Sequence, residues 1–238
     1  MINIVDADSL IFAAYSSETK DEAITAINSK IDSIAYYTQS NSFIFFCSKK
    51  SFRHKKYKSY KAQRKPPTFP MYKTAKDYVY SLSVRMNDLE ADDLVLYTKR
   101  NLFPEGTICS LDKDVLYSIE GRHFNYHYKH NSFITVEEYQ IREFQAYQLL
   151  CGDRVDNIQG IKGIGDKTAK KLINQWEFED KDYFDEIKAL YIKEGREGDF
   201  KKNRELLHIL STMEEISIVV GDIKALNEQI QKNVRQWK

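Results

Sequence analysis

Leu89-Glu90-Ala91-Asp92-Asp93-Leu94 sets three carboxylates within four positions of an apolar, helix-forming run that continues Val95-Leu96-Tyr97. In a helix, Glu90 and Asp93 share a face, and Asp92, offset by about 100°, reaches the same point from the side. Asn87 or Asp88 is placed to cap such a helix, leaving the acids in its first turns, where the macrodipole favours negative charge. Anions packed this closely repel unless a cation joins them. Oxygen-only ligands select a hard ion, magnesium or manganese. Alone, the stretch reads more readily as a solvated acidic helix start; acids elsewhere in the chain overturn that reading.

Upstream, Met1-Ile2-Asn3-Ile4-Val5 is a short apolar strand that stops at Asp6-Ala7-Asp8-Ser9. A buried strand ending in an acid puts that carboxylate at the carboxyl edge of a sheet, where α/β proteins bind ligands. Asp6 is therefore the candidate functional acid, and Asp8 reads as a cap for Leu10–Tyr15. Residues 20–39 carry Ile24, Ile27, Ile31 and Ile34 on one stripe and read as a helix. Residues 42–47 read as a second buried strand.

A basic run follows, from Ser48 to Lys65, and no Asp or Glu occurs between Ser33 and Lys76. Arg53, Lys55, Lys56, Lys58, Lys61, Arg64 and Lys65 alternate with Phe52, Tyr57 and Tyr60. Basic side chains contact phosphate and rings stack on bases, so the run predicts nucleic-acid binding in preference to a solvated charge run. Pro66-Pro67 and Pro70 end it in a loop. Residues 72–86 read as a helix leading to the acidic stretch.

Downstream, residues 106–111 read as a third strand, broken by Asp112-Lys113-Asp114, so two more acids follow a strand end. Strand–helix–strand order implies parallel crossovers and an α/β sheet. Residues 123–128 read as an edge strand and 136–150 as a helix. Asp153 and Asp156 then stand three apart, before Gly160-Ile161-Lys162-Gly163-Ile164-Gly165 opens a helix to about Trp176. Glycines there let backbone N–H groups approach a phosphate, with a helix N-terminus behind them. This helix-hairpin-helix pattern grips a DNA backbone whatever its sequence. After Glu177 helices are expected at 181–191, 200–210 and 223–234, with 216–220 extended and 195–199 a loop.

The chain's 238 residues, 42% hydrophobic and 30% charged, describe an ordinary soluble protein whose net charge of +1 says nothing about partners. Cys47, Cys109 and Cys151 form neither CxxC nor a disulfide framework, which predicts a reducing, cytoplasmic compartment. No apolar run reaches spanning length, so no membrane is expected. His123, His127 and His130 show no metal-ligand spacing, and surface or structural roles are expected for them.

Taken in order, the motifs resemble the 5′ nuclease superfamily: flap endonucleases, the 5′→3′ exonuclease part of bacterial DNA polymerase I, and stand-alone phage exonucleases. The resemblance runs over about residues 1–176 and rests on Val-Asp at Asp6, Phe-Arg-His with Tyr-Lys-Ala-Gln-Arg at 52–64, Glu-Ala-Asp-Asp at 90–93, Asp-Lys-Asp at 112–114, and Gly-Asp-x-x-Asp-Asn with Gly-Ile-x-Gly-Ile-Gly at 152–165. It implies an α/β fold with a mostly parallel sheet, helices on both faces, a helical arch and a helix-hairpin-helix lobe. One nuclease unit is expected: a metal-binding core over 1–135 with its arch at about 48–75, and a lobe with C-terminal helices over 136–238. By resemblance Asp6, Glu90, Asp92, Asp93 and Asp112 surround one magnesium or manganese ion, and Asp114, Asp153 and Asp156 a second. Lys61 and Arg64 match the basic pair on the scissile phosphate, with Arg53, Lys55, Lys56, Lys58 and Tyr60 as further arch contacts. Gly160, Lys162, Gly163, Gly165, Lys167 and Thr168 match the lobe that holds duplex DNA, often with a potassium ion. The implied activity is metal-dependent hydrolysis of DNA at a 5′ end or flap, RNA primers included, by a monomer that is phage-encoded or stand-alone.

One position departs from the pattern. The family places an Asp after its second strand, where this chain reads Phe46-Cys47-Ser48; Asp8 is the nearest substitute. The rival expectation is accordingly a structure-specific DNA-binding protein of the same fold with weakened catalysis. An RNA-directed nuclease of the PIN type is disfavoured by the helix-hairpin-helix motif, and a phosphatase by the basic run.

Overall fold

The computed structural model describes residues 1–127 and 129–237. Along the chain run β1 (Asn3–Asp6), a 3₁₀ segment (Asp8–Ala14), α1 (Lys20–Thr38), β2 (Ser42–Phe46), α2 (Phe52–Lys56), α3 (Tyr72–Leu82), α4 (Ala91–Asn101), β3 (Thr107–Ser110), α5 (Lys113–Leu116), β4 (Gly121–Asn125) and β5 (Ser132–Val136). Then come α6 (Glu138–Cys151), β6 (Gly152–Asp153), β7 (Ile158–Gln159), α7 (Asp166–Phe178), α8 (Tyr183–Lys193), α9 (Glu197–Leu207), α10 (Met213–Val220), α11 (Ile223–Lys232) and β8 (Arg235–Gln236). Tyr128, where the sequence expectation ended its edge strand, lies outside the described residues. No helix among the described residues is long and apolar enough to cross a membrane.

The chain divides into two compact units. The first comprises Met1–Phe52, Pro66–Val136 and Ile209–Lys238, the second Arg53–Lys65 and Glu137–His208. The division at Val136 lies within a residue of the expected one, and two stretches are grouped otherwise than expected. Part of the expected arch belongs to the second unit, and the last thirty or so residues complete the first rather than extend the lobe.

In the first unit a sheet of order β5-β4-β3-β1-β2-β8 has parallel pairing from β4 through to β2, with β5 and β8 antiparallel at the edges. Alternation along the buried strands feeds two cores. Val5, Phe43, Phe45 and Cys109 face the isoleucine stripe of α1 and Ala75, Val79 and Leu82 of α3. Ile4, Ile44, Phe46 and Ile108 face α4, α10 and α11 through Leu94, Ile216, Leu226 and Ile230. A period of two on strands and about 3.6 on helices buries both faces, as a parallel sheet requires. β1 is flanked by β2 and β3, so strand order reverses at its carboxyl end.

Four local expectations change. The helix expected over 72–86 ends at Leu82, and Val84 instead bridges Phe46 in parallel, with its N–H donating to Phe45 O at 2.8 Å. The strand expected near 123 is interior, and β5 is the edge. Residues 216–220 are helical, within α10. Residues 195–199 are not wholly loop, because α9 begins at Glu197.

In the second unit α6, α7, α8 and α9 enclose Leu149, Leu150, Ile173, Trp176, Ile187, Tyr191 and Phe200. Arg196 braces the β6–β7 hairpin, donating from Nη1 to Gly160 O at 2.8 Å, while Asn203 Nδ2 donates to Gln159 O at 2.8 Å.

Candidate functional site

Asp6 closes β1 at the point where strand order reverses, the place at which open α/β sheets bind ligands. It is buried, and Ser110, the last residue of β3, donates its hydroxyl to Asp6 Oδ2 at 2.9 Å. Tyr126 Oη donates to the Asp6 carbonyl at 2.6 Å and shares a hydrogen bond with Ser9. Burial, together with the Asp8 and Asp112 carboxylates beside it, pushes the Asp6 carboxyl up to about 7, against the Ser110 bond.

Asp8 is not the helix cap expected of it. It is the first residue of the 3₁₀ segment, and its Oδ2 accepts the Ser48 N–H at 3.0 Å. The carboxylate is thus delivered to the end of β2, where the sequence offers Cys47 and Ser48 in place of an acid. Cys47 is buried, donating to Ser83 Oγ at 3.3 Å, and burial with Asp8 nearby pushes its thiol far up, so it stays a neutral thiol. Ser48 Oγ in turn accepts the Ala91 N–H at 2.9 Å, which ties the start of α4 to the same strand end.

The acidic stretch divides its labour. Glu90, rather than Asn87 or Asp88, occupies the N-cap of α4 and is buried; Asp88 is in a left-handed turn before it. Asp93 is buried with both oxygens engaged: Oδ2 accepts the Glu90 N–H at 3.1 Å and Oδ1 the Leu210 N–H at 2.9 Å. Asp92 is half-buried in the first turn. Asp112 caps α5, with Oδ1 accepting the Asp114 N–H at 2.9 Å. Among the described residues no three Asp, Glu, His or Cys side chains converge tightly enough to hold a metal ion. Of the five expected ligands, Asp6 and Asp112 lie within electrostatic reach of each other, Asp8 joins them from outside that set, and Asp93 is engaged by backbone N–H groups. The donors nevertheless fit a hard cation: they are all oxygen, and the burial and neighbouring Asp8 and Asp112 charges that raise Asp6 are what a bound cation would offset.

Within the second unit Asp156 is buried and gathers the basic pair expected at the phosphate. Arg64 Nη2 bonds its Oδ1, and Lys61 Nζ stands 3.7 Å from Oδ2. Asp153 Oδ1 accepts the Val155 N–H at 2.7 Å and the Asp156 N–H at 3.2 Å, so it shapes the turn between β6 and β7. Two arch expectations are corrected. Arg53 and Tyr60 are each 3% exposed, Arg53 donating to His208 O and Tyr60 packed on Ile158 and Leu206. Long cationic and aromatic side chains suit packing as well as phosphate and bases, so composition alone did not separate the uses. Lys55 and Lys58 are exposed, and Lys56 pairs with Glu205 at 2.5 Å.

The hairpin glycines also differ. Gly160 is buried, and a Cβ there would lie 2.4 Å from Leu150 O; it is a packing glycine, not a phosphate contact. Gly163, with φ of +79°, and Gly165, the N-cap of α7, both face open space, beside exposed Lys162, Lys167 and Thr168.

Residues 1–146 match the 5′-3′ exonuclease, N-terminal resolvase-like domain, and residues 139–227 the 5′-3′ exonuclease, C-terminal SAM fold. The chain belongs to the 5′-3′ exonuclease family. A thermostable DNA polymerase I of Thermus thermophilus is 34% identical over 148 residues, 56% of this chain and 18% of that protein. A 5′-3′ exonuclease of Buchnera aphidicola is 33% identical over 174 residues, covering 64% of this chain and 59% of that one. The chain thus spans about a fifth of the length of the polymerase relative. The bacteriophage T5 D15 flap endonuclease, solved with DNA and metal ions, superposes with a TM-score of 0.74 over 98% of both chains at 19% identity, a likeness of fold. Ser110, Tyr126 and Ser48 were missed in the sequence; the one available signal was that Ser110 and Ser48 each stand at a strand end.

Proposed function

We propose that this 5′-3′ exonuclease family member hydrolyses DNA phosphodiesters at or near a 5′ end, as a 5′→3′ exonuclease or flap endonuclease dependent on magnesium or manganese. The observation that carries the reading is Asp6, buried at the switch point between Asp8 and Asp112 and raised to about 7. A divalent ion held by these oxygens would lower the pKa of a bound water and offset charge on a phosphate. The chain's residues do the rest. Asp6, Asp8 and Asp112 would hold the ion with Glu90 and Asp92, and the Ser110 hydroxyl fixes the orientation of Asp6. Asp153 and Asp156, within the second unit, are candidates for a second ion. Lys61 and Arg64 present positive charge to a phosphate, where charge that develops in the transition state is stabilised most. Residues 162–168 hold duplex backbone without reading bases. DNA and metal ions, the ligands seen with the T5 protein, suit these side chains.

Cys47, where the family carries an acid, favours one other reading: a DNA-binding protein of this fold with weakened catalysis. Cleavage of 5′-labelled flap, nicked and blunt duplexes, with magnesium and with excess chelator, separates the two. Products that require the metal are expected. Undiminished cutting in chelator would exclude the mechanism, and tight binding without cutting at any metal concentration would favour the second reading.

A further inference from the structure

A second group of side chains in the first unit lies next to the carboxylates without belonging to them. Arg85 follows Val84, whose carbonyl accepts the Cys47 N–H at 3.2 Å, so Arg85 leaves the chain beside the end of β2 that Asp8 also reaches. Its guanidinium carbon lies 3.5 Å from the centre of the Tyr80 ring, a stacked cation–π contact. Lys76 Nζ stands 5.3 Å from the same ring and 5.6 Å from that of Tyr72. Arg85 Nε is buried without a hydrogen-bond partner, and among the described residues neither Arg85 nor Lys76 forms an ion pair. A half-buried guanidinium with an unsatisfied N–H is costly unless an anion meets it.

We propose that Lys76, Tyr80 and Arg85 form a phosphate-binding subsite beside Asp8, which takes a phosphate ester of the nucleic-acid strand. Arg85 presents a planar fork to two oxygens, held in orientation by the Tyr80 ring, and Lys76 adds a point charge on the same side. The Tyr80 hydroxyl is raised by burial and senses Lys76, Asp8 and Arg85, so it stays protonated and can donate. The ester has two sources, a terminal 5′-phosphate or an internal phosphodiester. The subsite rests on the nuclease reading, since it supposes that a nucleic-acid strand reaches the first unit.

The test is fluorescence anisotropy of short DNA oligonucleotides bearing either a 5′-phosphate or a 5′-hydroxyl, over a potassium chloride series, with calcium in place of magnesium. Arg85→Gln should weaken binding about tenfold and flatten the log–log salt dependence by about one charge. Lys76→Gln should do the same more weakly, and Arg85→Lys should restore the salt slope without full affinity, which a merely structural Arg85 would not do. A loss confined to the 5′-phosphorylated oligonucleotide assigns the terminal phosphate; an equal loss on both assigns an internal one. Wild-type affinity and slope in an Arg85→Gln variant of unchanged melting temperature overturn the subsite. If Arg85→Gln does not fold, an unchanged slope in Lys76→Gln overturns it equally. A wild-type protein that cuts DNA while these variants bind normally loses the subsite and keeps the nuclease reading; one that neither binds nor cuts loses both.

Discussion

At the scale of the residue, Asp8 joins two tasks that a sequence reader separates. It accepts the Ser48 amide and crowds a carboxylate onto Asp6. Asp8→Asn keeps an acceptor for the amide and removes the charge. Its affinity for magnesium or manganese by calorimetry should fall about tenfold, roughly 1.4 kcal/mol, with little change in melting temperature; an unchanged affinity would show Asp8 to be a purely structural group. His123 makes a different prediction. It is wholly buried, its Nε2 lies 2.8 Å from Ile119 O, and burial lowers its pKa. The unfolded chain therefore takes up a proton that the folded chain resists. His123 should cost no stability above its unfolded value of about 6.5, and stability should drop as pH falls below it. His123→Gln should shrink that loss in denaturant titrations between about pH 7 and pH 5. The positions of Asp6 and Asp112 at strand ends were legible because an apolar β-favouring run that stops at an acid marks the end of a buried strand. Asp8 was not, since a 3₁₀ start and an N-cap have the same short sequence signature.

At the scale of the element, close approach rather than flexibility sorts the glycines. Gly160→Ala would drive a Cβ into Leu150 O and Gly152 N and should cost several kcal/mol, on the order of the large core and strain effects. Gly165→Ala meets nothing and keeps an ordinary extended backbone, so its melting temperature should hold while duplex affinity falls on all sequences alike. Equal melting temperatures for the two variants would contradict this division. The sequence spacing identified the hairpin but could not say which glycine faces the inside, because that depends on the α6 carbonyls folding back over β7. The misread stretch at 216–220 is similar. Its β-branched run favours a strand, yet Thr212 and Glu215 form a capping box and Ile216 is buried against α4 and α11, so tertiary packing and the cap prevail. Asp93 shows the reverse: its helix was legible, but its long-range bond to Leu210 was not.

At the scale of the whole molecule, each unit is assembled from separated stretches of chain, which no local pattern announces. The first unit draws on the last residues for three things. β8 pairs with β2, Trp237 packs edge-on against Phe43 and Phe45, and α10 and α11 cover one face of the sheet. A chain cut after His208 should therefore bind a hydrophobic dye and melt without a cooperative transition for the first unit. Retention of a full, cooperative transition would refute the role given to residues 209–238. The same arrangement bears on biogenesis. A ribosome makes β1 and β2 first and β8 last, so the nascent first unit waits, with one sheet edge open and one apolar face bare, until the whole of the second unit has been translated. During that interval the exposed edge of β2 is a template for pairing with other chains, and the demand for chaperones should peak before residues 209–236 leave the ribosome.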